Sequence, residues 1–77
     1  MNYTPAERNV RVHFLSKTES HFEVEILDVT GRLVREIKGT ASKGENMINL
    51  QLDVDQGLYN IMLKKEGKQK LKKLVVK

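Results

Sequence analysis

Apolar and polar residues alternate with a period of two over most of the chain. Val10, Val12 and Phe14 are separated by Arg11 and His13, Phe22, Val24 and Ile26 by Glu23 and Glu25, and Ile48, Leu50 and Leu52 by Asn49 and Gln51. Successive side chains of an extended backbone point to opposite faces, so each run predicts a strand with one buried face. Tyr59, Ile61 and Leu63 continue the pattern with Leu58 and Met62 on the other face, which predicts a central strand or one with apolar cover on both sides. Leu33, Val34 and Ile37 make a less regular strand. The predicted core is Val10, Val12, Phe14, Phe22, Val24, Ile26, Val34, Ile48, Leu50, Leu52, Tyr59, Ile61 and Leu63.

Turn-forming residues fall between these runs. Asp28-Val29-Thr30-Gly31 reads as a turn with glycine where a positive φ is cheap. Residues 39–44 read as a loop of small and polar residues, and Asp53-Val54-Asp55-Gln56-Gly57 re-aims the chain into the Tyr59 strand. Glu66-Gly67-Lys68 reads as a short hairpin loop. Short strands at roughly 8–12-residue spacing, with no helical period and no helix caps, predict an all-β fold: a small antiparallel Ig-like β-sandwich of six or seven strands.

The last run breaks the rule. Leu71, Lys73 and Val75 share one parity, and Leu74 and Val76 share the other. Strict alternation either buries Lys73 or exposes two apolar residues. The pattern therefore predicts a bulge near Lys72-Lys73, or an end strand whose final residues face both a core and something outside.

A chain of 77 residues makes one domain, residues 1–77, and excludes a cleft between domains. With no cysteine it has no disulfide, thiolate metal site or cysteine nucleophile. Its net charge of +4 is unevenly placed: residues 64–77 carry seven lysines against Glu66 alone, a local +6, which leaves the preceding 63 residues at −2. No apolar run approaches the length of a membrane helix. The opening residues, Met1-Asn2-Tyr3-Thr4-Pro5-Ala6-Glu7-Arg8, lack the basic start and apolar centre of a signal peptide. That leaves a cytoplasmic protein or a piece of a longer one.

The candidate chemistry is sparse. His13 and His21, with Ser16 and Ser20 nearby, are the only imidazoles; His13 reads as the outward residue of a strand and His21 as a loop residue, so no catalytic constellation is expected. Asp28, Asp53 and Asp55 fit turns better than a calcium site, because they lack the glycine and distal glutamate of a dedicated loop. Lysines 64, 65, 68, 70, 72 and 73 invite a nucleic-acid reading, yet their stretch has no arginine for bidentate base contacts and no aromatic for stacking. Lysines also guard edge strands against aggregation. Phe14, Phe22 and Tyr59 fall on core positions and there is no tryptophan, so Tyr3 alone remains for stacking on a sugar. Recognition of a protein through an edge strand stays open.

The order of the motifs resembles the type A C-terminal sorting domain of cargo proteins exported by the type IX secretion system of Bacteroidetes. The opening Thr4-Pro5-Ala6 is followed by the run from residue 10 to 14, then by Asp28-Val29-Thr30-Gly31-Arg32-Leu33-Val34. Gly44-Glu45-Asn46 leads to Ile48-Asn49-Leu50, Gly57-Leu58-Tyr59 follows, and the chain closes on Lys70-Leu71-Lys72-Lys73-Leu74-Val75-Val76-Lys77. Thr4 stands where the family has asparagine before Pro5.

The resemblance implies a non-catalytic delivery signal without cofactor or metal, one domain of a longer secreted parent. The parent passes through the periplasm; the folded domain is recognised by the outer-membrane machinery and removed by a sortase, and the parent reaches the cell surface or the extracellular space. No nucleic acid and no small-molecule substrate is expected, and the domain is expected to be a monomer. The residues expected to be read are Gly57, Leu58 and Tyr59 with Lys70, Leu71, Lys72, Lys73, Leu74, Val75, Val76 and Lys77. The competing expectation is an Ig-like adhesion or protein-binding module of a bacterial surface protein.

Overall fold

Each alternating run becomes a strand. The computed structural model describes residues 2–6 and 9–76 and contains seven strands: β1 (Asn2–Ala6), β2 (Asn9–Ser16), β3 (Ser20–Asp28), β4 (Leu33–Ala41), β5 (Gly44–Gln51), β6 (Gly57–Lys65) and β7 (Lys68–Val76). They form two antiparallel sheets, one ordered β1-β2-β5 and the other β4-β3-β6-β7. This is a β-sandwich in which the fourth strand joins the larger sheet. β1 was not foreseen. It pairs with β2 and places Pro5 in an edge strand, where a sheet tolerates a residue without an N–H.

The buried faces match the period of two. Val10, Val12 and Phe14 of β2, Leu50 of β5 and Leu52 just after it pack against Phe22, Val24 and Ile26 of β3 and Ile61 and Leu63 of β6. The Phe14 and Phe22 rings meet across the layers, tilted by 56° with centroids 5.5 Å apart. Val34, Ile48 and Tyr59, expected in the core, are half-buried against it, and Val34 and Ile48 lie on the edge strands β4 and β5. The core also takes in Ala41, Leu74 and Val76. Burying a side chain of leucine or isoleucine size contributes about 1.5–3 kcal/mol, so Leu74 and Ile61 are substantial parts of so small a fold.

The expected loop over residues 39–44 is mostly strand. β4 runs on through Gly39 and Thr40 to Ala41, and only Ser42 and Lys43 separate it from β5. Gly39 lies opposite Phe22, and a Cβ there would come within 3.0 Å of the Phe22 ring. The glycine makes room for a core aromatic instead of marking a turn. His21, expected in a loop, is an exposed residue of β3 for the same reason: the strand begins at Ser20, which pairs with Ala41.

The expected bulge at Lys72-Lys73 is absent. The β6–β7 ladder runs without a shift from Gly57 opposite Val76 to Lys65 opposite Lys68. The irregularity of the sheet lies instead between β3 and β4, at Ile26 and Leu27 beside Val34. Alternation along β7 is strict, and the second form of the expectation holds: Leu74 and Val76 enter the core, while Leu71 and Val75 are 56% and 49% exposed on the other face.

Candidate functional site

The family-type motifs occupy turns, and each turn is held by one side chain. At the β3–β4 turn the Asp28 Oδ1 accepts the Thr30 N–H at 3.0 Å, the Thr30 hydroxyl at 2.6 Å and the Arg32 N–H at 2.9 Å, while Arg32 Nε reaches Oδ2 at 3.1 Å. Gly31 supplies the positive φ of 88° that this turn needs. The Thr30 hydroxyl, then the Arg32 N–H, hold the Asp28 carboxyl below its ordinary range. Between β4 and β5, Asn46 accepts the Ser42 N–H at 3.0 Å and donates to the Ser42 carbonyl at 2.9 Å, closing the two-residue connection as a backbone pair would. Before β6, the Tyr59 hydroxyl donates to the Asp55 carbonyl at 2.7 Å. This is the tyrosine-corner device of Ig-like sandwiches.

The tip of the β6–β7 hairpin is tied to the opposite sheet. Glu66 and Gly67 have φ of 52° and 72°, the two left-handed residues of a two-residue turn whose twist suits a hairpin. Glutamate is an unusual first residue there. Its Oε1 lies 3.3 Å from the hydroxyls of Ser16, Thr18 and Ser20, all at the β2–β3 connection. Ser16 has one proton, and its 2.6 Å bond to the Thr18 carbonyl is the shortest of its three contacts; the Ser20 hydroxyl also lies 3.3 Å from that of Ser16, so Thr18 is the firmest donor to Glu66. Partial desolvation pushes the Glu66 carboxyl up, but the hydroxyls and Lys65 outweigh it and hold the group below its ordinary range. Lys65 Nζ donates to the Leu15 carbonyl at 2.6 Å and lies 5.8 Å from the Phe14 ring centroid. Glu66 was missed in the sequence reading. The only signal was one acid among seven lysines at a hairpin turn.

The structure brings the two predicted recognition segments side by side. Gly57, Leu58 and Tyr59 pair with Val76, Val75 and Leu74, and Lys73, Lys72, Leu71 and Lys70 follow along β6 opposite Asn60, Ile61, Met62 and Leu63. Lys77 lies outside the described residues. β7 is an edge of the four-stranded sheet. Its outward face presents Leu71 and Val75 beside Leu58, which is 62% exposed, and half-buried Met62. On the core-side parity, Lys68, Lys70 and Lys72 are exposed because β7 is the rim of the sheet and their long stems reach past the core to water. Lys70 lines a groove of about 510 Å³ between the sheets, with Phe14, Leu63 and Lys65 on its walls.

Carboxylates cluster elsewhere, on the outer face of the same sheet. Ligand oxygens of Glu23, Glu25 and Glu36 lie within 4.8 Å of one another. Lys64 Nζ bridges to Glu25 at 2.8 Å and Lys38 Nζ approaches Glu36 at 3.6 Å. The Glu25 carboxylate raises the Lys64 ammonium above its ordinary value. Of the acids weighed as calcium ligands, Asp28 has its oxygens taken up by Thr30 and Arg32. His13 and His21 are exposed on strands of different sheets.

Compared with protein-family models, residues 4–77 match the one described as the secretion system C-terminal sorting domain. No curated protein and no solved structure matches the chain.

Proposed function

Because the chain belongs to the family of secretion system C-terminal sorting domains, a signal recognised by the type IX secretion machinery, we propose that this machinery reads it through the terminal strand β7 and the start of β6 beside it. A signal of this kind directs its parent protein to the cell surface or the extracellular space. In this reading residues 1–77 are a single, non-catalytic, monomeric domain of a longer secreted parent that carries them through the periplasm, and a sortase removes them after export.

One observation carries the choice of strand. β7 is anchored in the core by Leu74 and Val76, yet shows Leu71 and Val75 to solvent on its other face and has an open edge. An edge strand in a protein with no partner is kept polar and guarded, because its unpaired N–H and C=O groups invite another chain. Here the edge carries four lysines together with two exposed apolar residues, Leu71 and Val75, so that strand addition can draw main-chain affinity from the edge and selectivity from the side chains. Gly57 and Tyr59 support this surface, and Leu58 adds to it.

The test fuses the chain to a reporter carrying its own signal peptide, in a host with the type IX apparatus. The intact domain is expected to bring the reporter to the surface. Leu71→Ser with Val75→Ser, and Lys72→Ser with Lys73→Ser, are expected to leave folded fusions in the periplasm. Surface delivery of both folded double variants at the intact level would refute the reading.

A further inference from the structure

The chemistry of the strand that β7 receives follows from its register, provided that β7 is the strand read. The hairpin closes through the two-residue turn at Glu66-Gly67, so Lys65 and Lys68 exchange both main-chain hydrogen bonds, and bonded pairs recur at every second residue from there. The even-numbered residues of β7 therefore bond to β6. The N–H and C=O groups of Gln69 and Leu71 point to the open side. β1, in the other sheet, approaches β7 but pairs with β2.

The two faces of this edge differ in charge: one carries Lys68, Lys70 and Lys72, the other a single lysine, Lys73, between Leu71 and Val75. Lys68, Lys70 and Lys72 share one face, and the residues directly across from them on β6 are Lys65, Leu63 and Ile61, so none faces a carboxylate there. Lys64, on the other face, differs in having Glu25 at 2.8 Å. Among the described residues no ion pair reaches Lys68, Lys70 or Lys72. The opposite face of β7 carries Gln69, Leu71, Lys73 and Val75, all exposed.

We infer that the occupant of this edge is an extended segment of a partner protein that carries carboxylates at every second residue on one face and apolar side chains on the other. Added beside β7, it completes the open-side hydrogen bonds. Its acids lie next to Lys68, Lys70 and Lys72, and its apolar residues lie next to Leu71 and Val75, since cross-strand neighbours interact directly on each face. Opposite charge across this edge also favours one register, because a slip by one residue takes the acids away from three lysines and puts them on the face of Leu71, Lys73 and Val75.

The experiment titrates the isotope-labelled chain with a synthetic eight-residue peptide alternating Glu and Val, and follows the amide resonances. The expected result is binding that shifts the amides of β7, at least tenfold tighter than a Lys-Val peptide of the same length and weakened by salt. Leu71→Pro removes an open-side N–H while leaving the ladder to β6, and is expected to lower affinity at least tenfold in a folded chain. Lys68→Glu, Lys70→Glu and Lys72→Glu together are expected to reverse the preference toward the Lys-Val peptide. Equal binding of the two peptides, shifts confined to other strands, or tighter binding of a short DNA or of phosphatidylglycerol vesicles at the same amides would each overturn the inference. In the reporter fusion, the triple glutamate variant separates the two claims. If it is delivered normally while Leu71→Ser with Val75→Ser is retained, β7 is the strand read and the acidic partner is wrong. If both are delivered, the reading of β7 itself fails.

Discussion

Leu74 and Val75 are adjacent in sequence and lie on opposite faces of the terminal strand, the first wholly buried and the second 49% exposed. The pair separates stability from recognition within two residues. Leu74→Ala leaves a cavity in the core and is expected to destabilise the domain by about 2–5 kcal/mol in urea unfolding. Val75→Ser changes a surface position and is expected to stay within about 0.5 kcal/mol. A large loss for Val75→Ser would place that residue in the core. Truncation after Leu71 removes Leu74 and Val76 together, so it unfolds the domain and says nothing about recognition.

Gly39 and Phe22 form a second pair of consequence. A Cβ at position 39 meets the Phe22 ring at 3.0 Å, so Gly39→Ala must displace a core aromatic. The expected cost is about 1–3 kcal/mol, as for other overpacked sites. In the double variant with Phe22→Ala the clash disappears, and the two effects are expected to add to less than their sum. Full additivity in a thermal or urea series would show that the ring is not what Gly39 accommodates.

The tyrosine corner tests whether the Gly57-Leu58-Tyr59 motif has a structural part. Tyr59→Phe removes only the hydroxyl that donates to the Asp55 carbonyl. It is expected to cost about 0.5–1.5 kcal/mol of unfolding free energy. No change would mean that the bond to the β5–β6 connection adds nothing to stability.

Acid should weaken the domain through two turns. The Asp28 carboxyl is held down first by the Thr30 hydroxyl, and the Glu66 carboxyl is held down by its hydroxyls and Lys65 against partial desolvation. A carboxyl with a depressed folded-state pKa contributes stability above its unfolded pKa and loses it as pH falls through the folded value. The melting temperature is therefore expected to drop between about pH 5 and pH 2, and to drop less steeply in Asp28→Asn with Glu66→Gln. Lys64, raised by Glu25, has the opposite sign: its contribution is present below its unfolded pKa and fades as pH rises through the folded value. An acid limb identical in the double variant would contradict the roles given to the two turns.

The strands and most of the core were legible in the sequence because the period of two is written directly into residues 10–14, 22–26, 48–52 and 59–63. Gly39 misled because a glycine reads as a turn signal, whereas here its missing side chain accommodates a ring from the neighbouring strand. The terminal strand resisted because parity along β7 names two faces without saying which is covered; only its place at the edge beside β6 settles that Leu74 and Val76 go inward. Glu66 was invisible because its partners, Ser16, Thr18 and Ser20, are 46 to 50 residues away in sequence.

The surface of β7 is tested most directly by contact during export. A photoreactive residue is placed at Leu71 or Val75, and for comparison at Leu15 or Met47, which are 67% and 58% exposed on the opposite sheet. All four are solvent-facing, so folding is expected to be preserved at each. In cells exporting the reporter fusion, crosslinks to the outer-membrane type IX machinery are expected from positions 71 and 75 and not from 15 and 47. Crosslinks of equal yield from all four positions, or from 15 and 47 alone, would contradict recognition through the terminal strand.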